Sequence, residues 1–84
     1  MPKNTYKDNP LTAKYEENAK NLLKGELKRK GLTYSQLVEK LAEIGASETE
    51  GNLRNKISRG GFTAAFLIQC LEAIGCHSVH LGDA

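Results

Sequence analysis

Between Ala13 and Lys30 the apolar residues Tyr15, Ala19, Leu22, Leu23 and Leu27 return every three or four positions. That interval matches the turn of an α-helix and lays one apolar stripe along it, interrupted only by Gly25. Gly31 supplies the left-handed residue that closes such a helix, and Leu32 beyond it is placed to pack back on the last turn. Upstream, residues 1–11 are polar, hold both prolines and show no period. They read as a flexible arm ending where Thr12 can cap the helix.

Thr33-Tyr34-Ser35-Gln36 marks a second start. Thr33 caps, and Gln36 reaches back to its N–H in the reciprocal arrangement of a capping box. Leu37, Leu41 and Ile44 then share one face with Tyr34 and partly Val38, Glu39 and Glu43 point away, and Gly45 ends the helix. Two caps compete for the third helix, Ser47 with Glu50 and Thr49 with Asn52; a helix from residue 49 to Arg59, closed by Gly60-Gly61, is preferred. Thr63 caps a fourth, whose wide apolar face of Phe66, Leu67, Cys70, Leu71 and Ile74 stops at Gly75. The remainder, 76–84, alternates briefly in His-Ser-Val-His-Leu, as a short strand or an extended tail would. A strand there would need a partner from the arm or from a second copy of the chain.

The expected fold is all-α: a compact four-helix domain over 12–75 containing a helix-turn-helix, with a flexible arm at 1–11 and a short C-terminal extended tail or strand at 76–84. A chain of 84 residues supports one core, and 39% apolar with 26% charged residues suits a folded domain. The longest apolar stretch, Ala64 to Ile68, falls far short of the roughly 20 residues that span a bilayer. With no apolar signal core in MPKNTYKDNPLT, a cytoplasmic protein without a membrane partner is expected, its Cys70 and Cys76 reduced rather than bridged.

A net charge of +2 names no partner, so the placement of the charges matters more. On a helical wheel Leu53 and Ile57 mark the buried side of the third helix. Gly51, Asn52, Asn55, Ser58 and Arg59 lie opposite, flanked by Arg54 and Lys56. Any solvated surface helix shows a polar face with cations, but Asn and Gly are poor helix formers and an odd choice for solubility alone. They suit a face that meets hydrogen-bonding edges. Asn bonds adenine bidentately, Arg forks onto guanine or phosphate, and Gly admits a close backbone. Asn52, Asn55 and Arg59, at i, i+3 and i+7, can be engaged in one approach. A short helix that follows another across a glycine-containing turn, braced by two more, is also the plan in which the second of the pair enters the major groove.

The runs Leu32-Thr33-Tyr34-Ser35-Gln36-Leu37 through Leu41, Asn52-Leu53-Arg54-Asn55-Lys56-Ile57-Ser58-Arg59-Gly60, and Leu67 to Gly75 together resemble the lambda-repressor-like (Cro/C1, xenobiotic-response-element type) helix-turn-helix domain. The resemblance covers Tyr15 to Gly75. The chain is also similar to a group of short bacterial proteins of unknown function that carry the same Asn-Leu-Arg-Asn-Lys-Ile-Ser-Arg-Gly run. The resemblance implies DNA binding with the third helix as reader, often by a homodimer on a two-fold operator. The chain departs from the family's pattern at Tyr34, where Gln is usual beside a phosphate. It also departs in the stretch from Leu41 to Leu53, longer by about three residues and carrying Glu48 and Glu50, whose charges match the dipole at a helix start.

Other constellations carry less. Cys70, Cys76, His77 and His80 could in principle ligate zinc, but Cys70 falls on an apolar helix face and the two histidines diverge in a strand, so no metal is expected. Ser35 and Ser58 have no His near in sequence, no carboxylates pair in an apolar setting, and Gly60-Gly61 lacks the Lys-Ser/Thr of a phosphate loop. No enzyme, cofactor or small-molecule substrate is expected. Lys28-Arg29-Lys30 first of all matches the negative pole of the first helix, and Lys3 and Lys7 read as part of a mobile tail. Tyr15 and Tyr34 read as core.

The expected function is sequence-specific binding of double-stranded DNA, as in a bacterial or phage transcriptional regulator. Asn52, Asn55 and Arg59 would read bases, and Thr33, Tyr34, Ser35, Arg54, Lys56 and Ser58 would hold phosphates. The competing class is a helical protein-interaction module, adaptor or antitoxin-like, using the same exposed face or the fourth helix.

Overall fold

The computed structural model describes residues 9–81, which form four helices, α1 (Pro10–Arg29), α2 (Tyr34–Glu43), α3 (Glu50–Arg59) and α4 (Ala64–Ala73). The first begins earlier than its pattern suggests. Asn9, not Thr12, is the cap: its side chain accepts the Leu11 N–H at 2.8 Å. Pro10 takes the first helical position, where a missing donor costs nothing and its fixed φ already suits the helix. Residues 10 and 11 therefore belong to α1 rather than to the arm, and residues 1–8 lie outside the described part.

The other starts follow the hydroxyl residues. In α2 the Gln36 N–H donates to Thr33 Oγ1 at 3.1 Å while the Thr33 N–H donates to Gln36 Oε1 at 2.9 Å, so two otherwise orphaned donors are satisfied at once. Thr49, not Ser47, caps α3 by accepting the Asn52 N–H at 3.1 Å, and Thr63 caps α4 through the Phe66 N–H at 3.0 Å. At the far ends α1, α2 and α4 close with the same pair of reverse bonds. In each the residue after a left-handed glycine returns its N–H to the last full turn: Leu32 to Leu27, Ala46 to Leu41 and Cys76 to Leu71, all at 2.9 Å.

The core draws on every helix. Leu23 and Leu27 meet Leu37 and Leu41, Leu53 and Ile57, and Phe66, Cys70 and Ile74. Helix α1 packs on α3 and α4, and α2 packs on the same two; α2 and α3 are the chain neighbours that also pack on each other. The α2–α3 pair is thus braced from both sides. No helix among the described residues is long and apolar enough to cross a membrane.

Two expectations are corrected, and of the strand or tail expected at the C-terminus the tail is observed. Tyr15 is not core; it stands 59% exposed on the outer flank of α1. Ile44, placed by periodicity on the buried face of α2, is 45% exposed, because the helix ends at Glu43 and Ile44 turns out with the cap. Residues 76–81 form no strand, since among the described residues there is none to pair with; they continue as a tail. That tail is tied to α1 at its start, where the single Cys76 S–H is shared between Glu26 Oε1 at 3.4 Å and the Ser78 carbonyl at 3.2 Å.

Among the described residues Glu26 is the one charged residue that is buried, 7% exposed. Burial pushes its carboxyl up. The hydrogen bonds from Arg29 and Cys76, and the charges of Arg29 and Lys30, more than offset this and leave it below its ordinary 4.5. A depressed folded value makes the carboxylate a source of stability above pH 4.5 that is lost as pH falls through the folded value. The stability advantage of the wild-type chain over Glu26→Gln at pH 7 should therefore shrink on acidification below pH 4.5 in urea titrations; an advantage independent of pH would show that the partners do not hold the charged form.

Candidate nucleic-acid interface

Helix α3 is made rigid from behind. Leu53 and Ile57 are both 0% exposed, Thr49 fixes its start and the left-handed Gly60 fixes its end. With the rear anchored, the wheel places Asn52, Asn55, Ser58 and Arg59 on the outer side, and all four are exposed. Among the described residues no side-chain hydrogen bond or ion pair engages them. Two amides and a guanidinium therefore face outward with their hydrogen-bonding capacity unspent within the chain.

The two flanking cations are held, each on its own side. Arg54 pairs with Glu50 at 3.0 Å, one turn earlier, and its guanidinium lies 5.5 Å from the centre of the Tyr34 ring. Lys56 turns the other way. It pairs with Glu48 at 2.7 Å and sits 4.9 Å from the centre of the Phe66 ring, tying the α2–α3 connection and α3 to α4. Thr33, Tyr34 and Ser35 stand together at the start of α2, so Arg54 joins them and Lys56 does not.

A shallow groove runs from this helix start onto α1, lined by Lys24, Leu27, Lys28, Leu32, Thr33 and Tyr34. Lys24 and Lys28 thus line the same groove as Thr33 and Tyr34 at the N-terminal end of α2, where free N–H groups carry partial positive charge. In the sequence Lys24 carries no motif, and Lys28 suits the negative pole of its own helix end. The signal available was their four-residue spacing on one flank of α1; that α2 begins beside that flank follows only from packing.

The Cys and His residues do not assemble. Cys70 is fully buried, and burial, with the charge of Glu48 adding and Lys56 opposing, pushes its thiol up to about 12. It is a core side chain, neither a ready nucleophile nor a metal-ready thiolate. His77 and His80 are exposed, and no group of three or more His, Cys, Asp or Glu among the described residues is placed to hold a metal ion.

A family model described as a domain of unknown function, DUF6471, matches residues 15–79. The chain belongs to the DUF6471 family. The matched span takes in most of α1, the other three helices and the tied-down start of the tail, so every residue of the candidate interface lies inside the DUF6471 domain. No curated protein and no solved structure matches the chain. This DUF6471 domain presents an outward row of amides and one guanidinium on α3, with Arg54 over Tyr34 and with Lys24 and Lys28 lining the groove at the start of α2.

Proposed function

We propose that this domain binds double-stranded DNA in a sequence-specific manner, as a bacterial or phage transcriptional regulator. One observation carries the proposal: Asn52, Asn55 and Arg59 are exposed together on a helix whose other side is pinned by two fully buried residues. A rigid helix with amide and guanidinium groups to spare suits the major groove, whose base edges present matching donors and acceptors. In this reading Asn52, Asn55 and Arg59 contact bases. Thr33, Tyr34 and Ser35, with Arg54 beside them and Ser58 at the edge of the α3 face, contact the backbone, where phosphate contacts fix register without reading sequence. Lys56, paired with Glu48 and turned toward Phe66, stays out of the phosphate contacts in this reading. The resemblance of residues 15–75 to the lambda-repressor-like helix-turn-helix supports this assignment and implies a homodimer on a two-fold operator.

Selection of bound duplexes from a random pool, followed by salt titration, tests it. Asn55→Ala should weaken binding to the selected sequence by about 1–3 kcal/mol and leave random duplex almost unchanged. Equal losses on both would remove Asn55 from sequence reading.

A second reading, a helical module for a protein partner, is favoured by one specific observation. Both flanking cations of α3 are neutralised by Glu48 and Glu50, which leaves its outer face close to neutral. A protein partner bound there would respond weakly to salt, whereas phosphate-led binding falls steeply as salt rises.

A further inference from the structure

The two ion pairs flanking α3 differ in how firmly they are held. Lys56 and Glu48 are 39% and 14% exposed, and the ring of Phe66 covers the ammonium on one side, so water competes poorly there. Arg54 and Glu50 are 55% and 47% exposed, and a pair this wet is held only weakly. It is also the pair that stands at the start of α2, with the guanidinium over Tyr34.

We propose that Glu50 is a built-in competitor for Arg54. In the free protein its carboxylate keeps the guanidinium beside Tyr34; a backbone phosphate arriving at the start of α2 takes Arg54 from it. This inference rests on the DNA-binding reading and adds to it a residue that governs specificity without touching a base. Sequence-independent affinity comes almost entirely from cations that replace counterions on phosphates. With Arg54 and Lys56 both paired, Arg59 is the one cation of residues 48–59 with no acidic partner among the described residues. Helix α3 itself then adds little to the binding of random duplex, and its contribution to discrimination rests on the row of Asn52, Asn55 and Arg59. The geometry also explains why a glutamate at the start of a DNA-reading helix is tolerable. It is neutralised until the phosphate comes, and meanwhile its charge suits the helix dipole.

The test is a double-mutant cycle of Glu50→Gln and Arg54→Ala, read as the dissociation constant for a random-sequence duplex across a salt series. Circular dichroism of each variant checks that the exposed substitutions leave the helices in place. Glu50→Gln should bind random duplex roughly two- to five-fold more tightly at low salt. Its slope of log affinity against log salt should stay close to that of the wild-type chain, because Arg54 reaches the phosphate in both complexes and only the cost of leaving Glu50 is removed. In the Arg54→Ala background the same Glu50→Gln change should give no gain. A gain that persists without Arg54 would overturn the proposal in favour of simple charge repulsion, and an unchanged affinity in Glu50→Gln would overturn it outright. Failure of the wild-type chain and Glu50→Gln alike to bind any duplex would sink the DNA-binding reading together with this inference, an outcome distinct from the other two.

Discussion

Gly60→Ala should lower the urea midpoint far more than Gly45→Ala, although both glycines have positive φ, +75° and +92°. The backbone strain is common to the two and costs about 1–2 kcal/mol for a residue with a Cβ. What separates them is space. A Cβ on Gly45 meets nothing within 4 Å, while one on Gly60 lies 2.6 Å from the Glu16 carbonyl oxygen and 3.1 Å from its carbon. Those atoms belong to the backbone of α1, which cannot step aside as a side-chain tip can, so α1 and the end of α3 must part. Overpacking of that kind adds about 1–3 kcal/mol, for a total of about 2–5 kcal/mol. A domain of this size has only about 5 kcal/mol to lose, so much of the population should unfold at modest denaturant. Equal losses at the two glycines would show that the close approach of α3 to α1 is not tight in solution.

Leu53→Ala is the second large effect expected, at about 2–5 kcal/mol, because a fully buried leucine leaves a cavity that three packed helices cannot collapse around. Leu11→Ala, at a site 61% exposed, should change stability by less than about 0.5 kcal/mol. Hydrogen exchange adds a local readout: the amides of α3 should lose protection first, since Leu53 and Ile57 are its whole buried side. A loss below about 1 kcal/mol at Leu53 would mean that α3 is not anchored as drawn, and the presentation of Asn52, Asn55 and Arg59 would fall with it.

Much of this architecture is written in local chemistry. Thr33 with Gln36, Thr49 with Asn52, and Thr63 with Phe66 are spacings that close hydrogen bonds within one turn; the starts of α2 and α4 follow from that short-range pattern, while at α3 it leaves Ser47 and Thr49 in competition. The first start is ambiguous in sequence because two adequate caps, Asn9 and Thr12, stand three residues apart, and Pro10, which decides between them, suits an arm as well as a first helical turn. Tyr15 and Ile44 depart from the pattern for a different reason. Periodicity says which residues share a face, not whether a neighbour covers that part of it. Tyr15 lies on an uncovered flank of α1, and Ile44 sits beyond the last turn of α2.

By itself the sequence determined four helices, their caps and glycine stops, the leucine-rich core, and the row of Asn52, Asn55 and Arg59 on one side of α3. All of these depend on contacts within a few residues or on one repeating period. Only the tertiary structure decided that Arg54 reaches Tyr34 while Lys56 turns to Phe66, that Lys24 and Lys28 border the start of α2, and that Glu26 is buried with Cys76 against it. Each of those joins parts of the chain that periodicity treats separately. Which of two flanking cations meets which neighbour depends on how the helices pack, and packing is a property of the whole core rather than of any segment.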